Sequence, residues 1–315
     1  DKIDPVTVED MKDLLRVEKL AKNRRGITGW LEVGIIQKRL PDEFYLDFQA
    51  KTGLFKSAVQ KYIRRGNVEK SVRAAKVLYG LSRDQAIRRL KIIIVEDAFS
   101  AVEALKFTHG EMSLGEFLAV VAAVAEAPKD KSLCMLGWQL TEGLLAHQVN
   151  ESVPNLEWLT AHLLDKQEYI KVVIDLFKLA KDKRFAEINE VFQHDPREVV
   201  RQCLDRVASG TFWPSDSALL LMAAIRFMRG DHRLKNLTLP LIDDKSVQPL
   251  KLAQLDWYVC DFHTHTGRIA ERFFLARHKG ITQKILESVW FHGESARLGG
   301  EILADWPQSY NETLW

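Results

Sequence analysis

Apolar residues return every three to four positions along nearly the whole chain, and no segment alternates apolar with polar residues strongly enough to supply a half-buried strand. Stretches such as VEDMKDLLRVEKLAKN (8–23), QEYIKVVIDLFKLAKD (167–182) and PREVVRQCLDRVA (196–208) show the spacing of one buried helix face. Only 17 Gly and 9 Pro punctuate 315 residues, so long helices meet few obligatory breaks. The expected class is therefore all-α. The IIIV run at 92–95 has strand-like composition, but it lies between RRLK and EDAF with no turn signal on either side, and it reads as helix. A hydrophobic content of 46% suffices for a real core, and the length predicts two helical subdomains, 1–150 and 151–315, meeting near NESVPN (150–155). Stacked helical hairpins are expected in the second. Residues 230–248 read as its long loop, and Ser215 and Asp216 as a helix N-cap.

Cys134, Cys203 and Cys260 are odd in number and far apart, which suits neither a disulfide framework nor a zinc knuckle and points to a reducing compartment. No apolar run reaches the roughly 18 residues of a membrane span. The expected setting is cytoplasmic, or nuclear in a eukaryote, with no membrane partner.

Charge is segregated. Residues 51–91 hold twelve Lys and Arg against Glu69 and Asp84, while the whole chain nets only +2. A local positive field on that scale attracts polyanions. The candidate nucleic-acid contacts are Lys51, Lys56, Lys61, Arg64, Arg65, Arg73, Arg88 and Arg89, with DNA favoured over RNA. Part of this stretch, residues 44–66, has the spacing of a helix-turn-helix, with Gly53 in the turn and Lys56, Ser57, Gln60 and Lys61 on the second helix. An ordinary helical hairpin fits the same spacing.

Three blocks in this half form a further pattern: SAVQKYIRRGNVEKS (57–71), IRRLKIIIVEDA (87–98) and AEAPKDKS (125–132). In the second, Arg88-Arg89-Leu90 is followed by five residues and then Glu96-Asp97. The ordered blocks resemble the helical C-terminal collar of the RarA/MgsA replication-associated recombination ATPases, over about residues 57–132. The resemblance implies a helical collar, a homo-oligomer or a replication-protein partner, and a role at single-stranded gaps and forks. Arg65-Gly66-Asn67 departs from the family's R-G-S-D core, and no G-x-x-x-x-G-K-[ST] phosphate cradle occurs in the chain. Arg88 and Arg89 precede Glu96 and Asp97 by eight residues, about two helical turns, so these carboxylates are expected to anchor arginines across helices rather than along their own.

The most enzyme-like string is Asp261-Phe262-His263-Thr264-His265, since D-x-H-x-H opens the metal site of some phosphoesterases. Those sites draw further ligands from barrel strands downstream, whereas only helical patterning follows His265. The string reads better as a helix-entry turn with Thr266 as N-cap. No cofactor and no catalytic constellation are indicated. Trp158, Trp213, Trp257, Trp290 and Trp306 read as packing residues, base stacking being their other use. The sequence thus predicts a non-catalytic nucleic-acid-associated protein of replication, repair or a mobile element. An oligomerisation module meeting an acidic protein and a phosphoesterase built on His263 and His265 are the rival readings.

Overall fold

Helix α1, Phe48–Arg64, buries Leu54, Phe55, Ala58, Val59, Tyr62 and Ile63, an unbroken i, i+3, i+4 stripe. The computed structural model to which it belongs describes residues 48–209, 214–230, 234, 237–256, 259, 263 and 264. Gly53 lies inside α1. The helix-turn-helix expected over 44–66 is therefore corrected: residues 48–64 make one helix, because an interior glycine costs only about 1 kcal/mol and six buried side chains outweigh it. The turn comes later, at Gly66, whose φ of +65° lies in the left-handed region. Asn67 then caps α2, Val68–Leu81, accepting from the Lys70 amide. A Cβ at residue 66 would meet only the Ala125 carbonyl at 3.6 Å, so crowding adds little there. Gly66→Ala should accordingly cost about 1 kcal/mol of purely conformational origin, read as a shift in urea midpoint at unchanged slope.

Helix α3, Arg83–Asp97, carries Ile92–Val95 fully enclosed, which is why an apolar run of this kind is helical here without being amphipathic. It stops earlier than the periodicity suggests. Ala98 leaves helical geometry and forms an isolated bridge with Asp130, the Asp130 amide donating to the Asp97 carbonyl at 2.9 Å. A 3-10 segment follows at Phe99–Phe107. Helix α4, Leu114–Glu126, is buried from Phe117 through Ala125 and begins with a capping box between Ser113 and Glu116. Two helices follow, α5 (Ser132–Thr141) and α6 (Ala146–Glu151), separated because the chain folds back at Gly143 so that the Leu144 amide reaches the Gln139 side chain.

The second half adds α7 (Leu156–His162), α8 (Tyr169–Lys181), α9 (Phe185–Val191), α10 (Glu198–Ala208) and α11 (Pro214–Met228). Ser215 and Asp216 lie within the first turn of α11 rather than at its cap. From Ser217 to Arg226 α11 is buried, packing on α5, α8, α10 and α3. The apolar cores of both halves thus form one continuous cluster, and residues 152–155 are the loop that joins α6 to α7. Among the described residues there is no strand, so the all-α expectation holds. After α11 the chain runs as a strap, residues 237–256, interrupted by a turn at 244–246 and a 3-10 turn at Leu252–Gln254 and lying against α2. The helix expected from Val8, those from Thr266 onward, and Trp213, Trp257, Trp290, Trp306 and His265 fall outside the described residues.

Candidate anion-binding face

The basic stretch has three fates, and the helix face decides each. Arg64 points into the core, where its Nε donates to Asp97 Oδ1 at 2.8 Å and its Nη2 to Asp97 Oδ2 at 3.1 Å. Glu96 lies 3.6 Å from the same guanidinium and Lys131 lies 3.9 Å from Asp97. The Gln60 amide donates at 2.9 Å to both Glu96 and Asp97. Burial pushes the Asp97 carboxyl up, but the Arg64 and Lys131 charges and the bonds from Arg64 and Gln60 outweigh it and hold the group below its ordinary range. As the spacing foretold, the carboxylates anchor an arginine across helices; the arginine is Arg64. Lys61, also buried, shares this inward face. Cys134 borders the cluster, and burial together with Glu96 pushes its thiol up to about 12.

The second group faces the strap. Lys70 pairs with Asp256 at 2.5 Å, Arg73 donates to the Gln248 carbonyl at 3.1 Å and the Gln254 side chain at 3.0 Å, and Lys76 donates to the carbonyls of Asp244 at 2.6 Å and Val247 at 2.9 Å.

The third group is open. Lys56 on α1 donates to Gln85, and Arg89 on α3 donates to Gln60 at 3.3 Å, so Lys56 and Gln60 meet Gln85 and Arg89 as two successive rungs between parallel helices. On the other side of α3, Lys91 donates to Gln202 of α10. Arg206, one turn beyond Gln202, lies within electrostatic reach of Arg88, which is exposed at the middle of α3. Burial, then the charges of Arg89 and Arg88, lower the Lys56 ammonium below its ordinary range. Burial likewise lowers Arg206, with Asp216 opposing and Arg88 adding to the fall. Arg206 Nε is buried with no hydrogen-bond partner. Four cations from three helices therefore share one face. Near them stand two carboxylates, Asp216 and Glu96, of which Glu96 is already engaged by Arg64 and Gln60. The other, Asp216, is raised to about 6 by burial and Glu96 against the pull of Arg89 and Arg206. Such a face can take an anion whose oxygens meet several guanidinium groups at once.

Of the sequence candidates, Lys56, Arg88 and Arg89 lie on this face, Lys61 and Arg64 are inside, and Arg73 is under the strap. Lys51 is half-buried near the start of α1, and Arg65 sits at the turn after it, donating to the Lys61 carbonyl at 3.3 Å. Arg206 was invisible to a reading of local charge density, because PREVVRQCLDRVA nearly balances its three arginines with Glu198 and Asp205. Among the described residues no group of three or more His, Cys, Asp or Glu could hold a metal, and His263 is exposed. Trp158 is half-buried, stacked on His162 at 4.6 Å with Lys171 over its ring at 3.7 Å, a packing arrangement. No family model, curated protein or solved structure matches the chain.

Proposed function

We propose that the chain is a non-catalytic, nucleic-acid-associated protein that grips phosphates through Lys56, Arg88, Arg89 and Arg206. The observation that carries this reading is the convergence of four cations from α1, α3 and α10 on one face, close enough that their charges act on one another. Arg88 and Arg89 supply the planar forks suited to phosphate oxygens, and the Arg206 guanidinium adds positive charge beside them. DNA of a replication or repair intermediate is the proposed ligand. The three blocks that resemble the RarA collar support that setting, since Arg64 of the first, Glu96 and Asp97 of the second and Lys131 of the third meet in one ion cluster. They behave as a single packing unit, as a collar region requires.

The test is a titration of the full chain against a 30-nucleotide oligothymidylate and a 30-base-pair duplex between 50 and 300 mM salt. Four phosphate contacts predict that log K falls against log salt with a slope of about −3 to −4. No binding at the lowest salt, or binding independent of salt, overturns the reading. Retention on an acidic protein with no oligonucleotide binding would favour an interaction module instead.

A further inference from the structure

On α2 the cations Lys70, Arg73 and Lys76 recur every third residue and so form a stripe about 9 Å long, every member of which is bonded to the strap. The strap presents them with one carboxylate, that of Asp256, with the main-chain oxygens of Asp244, Val247 and Gln248, and with the Gln254 amide oxygen. A row of acceptor oxygens, part of it anionic, is also what a phosphodiester backbone offers. We propose that this stripe is a second phosphate-binding site, held shut by the chain's own strap, and that a nucleic-acid strand and the strap compete for it.

The strap's attachment suits an exchangeable occupant. Of its described side chains only Leu250 is buried, Leu241 is fully exposed, and Leu237, Leu239, Ile242, Val247 and Leu255 are half-buried. A single main-chain bond ties it to α2, from the Leu250 amide to the Arg73 carbonyl at 3.3 Å. The Asp256 amide adds a bond to the Tyr62 hydroxyl at 3.1 Å. Segments with few buried apolar contacts and exposed backbone open at low free energy, well before the core. The main-chain oxygens that leave the cations on opening are satisfied by water, so a polyanion has to outbid neutral acceptors, the part-exposed Lys70–Asp256 pair and the surface pair of Arg73 with Glu69 on α2 itself. The inference rests on the nucleic-acid reading above and extends it from one face to two.

The experiment measures hydrogen exchange of the full chain with and without saturating 30-nucleotide oligothymidylate, beside binding titrations of two variants. Asp256→Asn loosens the strap conservatively, and Leu250→Asp with Asp256→Asn releases it; circular dichroism checks that each keeps its helices. Exchange across residues 243–256 should quicken about tenfold when oligonucleotide is bound. Affinity should rise about two- to fivefold in the first variant and about tenfold in the second. Adding Lys70→Gln, Arg73→Gln and Lys76→Gln to the released variant should cancel the gain. Oligonucleotide bound with the strap amides unchanged or slowed overturns the proposal and leaves the open face standing. Binding seen only after release overturns the open face and supports the strap. If neither parent nor variants bind, both fall.

Discussion

Replacing Asp97 with Ala should destabilise the protein by about 3 to 5 kcal/mol, because it strands the Arg64 charge inside the core. Asp97 is 0% exposed and Arg64 only 7%, so neither has water to fall back on. The Gln60 amide would lose an acceptor as well. Exchanging both partners for apolar groups, Arg64→Met with Asp97→Leu, should cost less than either single change, since what hurts is the unpaired buried charge rather than the missing attraction. The sign of the pH dependence follows from the direction of the Asp97 shift. Its folded pKa lies below the ordinary value of 3.8, so its stabilisation is fully present above that value and is lost as pH falls through the lower, folded one. Denaturant unfolding followed by circular dichroism from pH 7 to 2 should show this acid-labile contribution in the parent and its absence in Asp97→Asn. A single-mutant cost below about 1 kcal/mol would show that the cluster carries no more than a surface pair.

How far the sequence was legible depended on whether a property was local. Helix class was, because an apolar spacing is short-range: QEYIKVVIDLFKLAKD and PREVVRQCLDRVA carry the spacing of a buried face, and α8 and α10 bury it. The anchoring role of Glu96 and Asp97 was also legible, since eight residues along a helix put them out of reach of Arg88 and Arg89. Gly53 misled because glycine in a helix and glycine in a turn are identical on paper; the decision lies in the buried stripe that continues past it. The basic stretch misled differently. Counting charges between 51 and 91 says nothing of face, and on α1 Lys56 and Lys61 differ by 140° around the axis at 100° per residue, enough to send one outward and the other into the core. Arg206 and the strap were out of view because each comes to α2 or α3 from more than a hundred residues away.

The second large effect should be on binding. Arg88→Glu combined with Arg89→Gln and Arg206→Gln should weaken oligothymidylate binding at least about a hundredfold at 0.1 M salt, since each lost phosphate contact forfeits a released counterion. The salt dependence should flatten in step, by about 0.7 to 0.9 in slope per contact. Stability should change little, because Arg88 is exposed, Arg89 gives up one 3.3 Å bond to Gln60, and removing the Arg206 charge relieves one pressing on Arg88. The contrast that makes the measurement decisive is with Arg64→Gln, where the side chain is buried in the Asp97 cluster. That variant should lose affinity only in proportion to the fraction of chain it unfolds, and its folded fraction should retain the parent salt slope. A triple variant that folds normally and binds with unchanged affinity and slope would falsify the open face as the phosphate site. If affinity then vanished only on adding Lys70→Gln and Lys76→Gln, the grip would belong to α2.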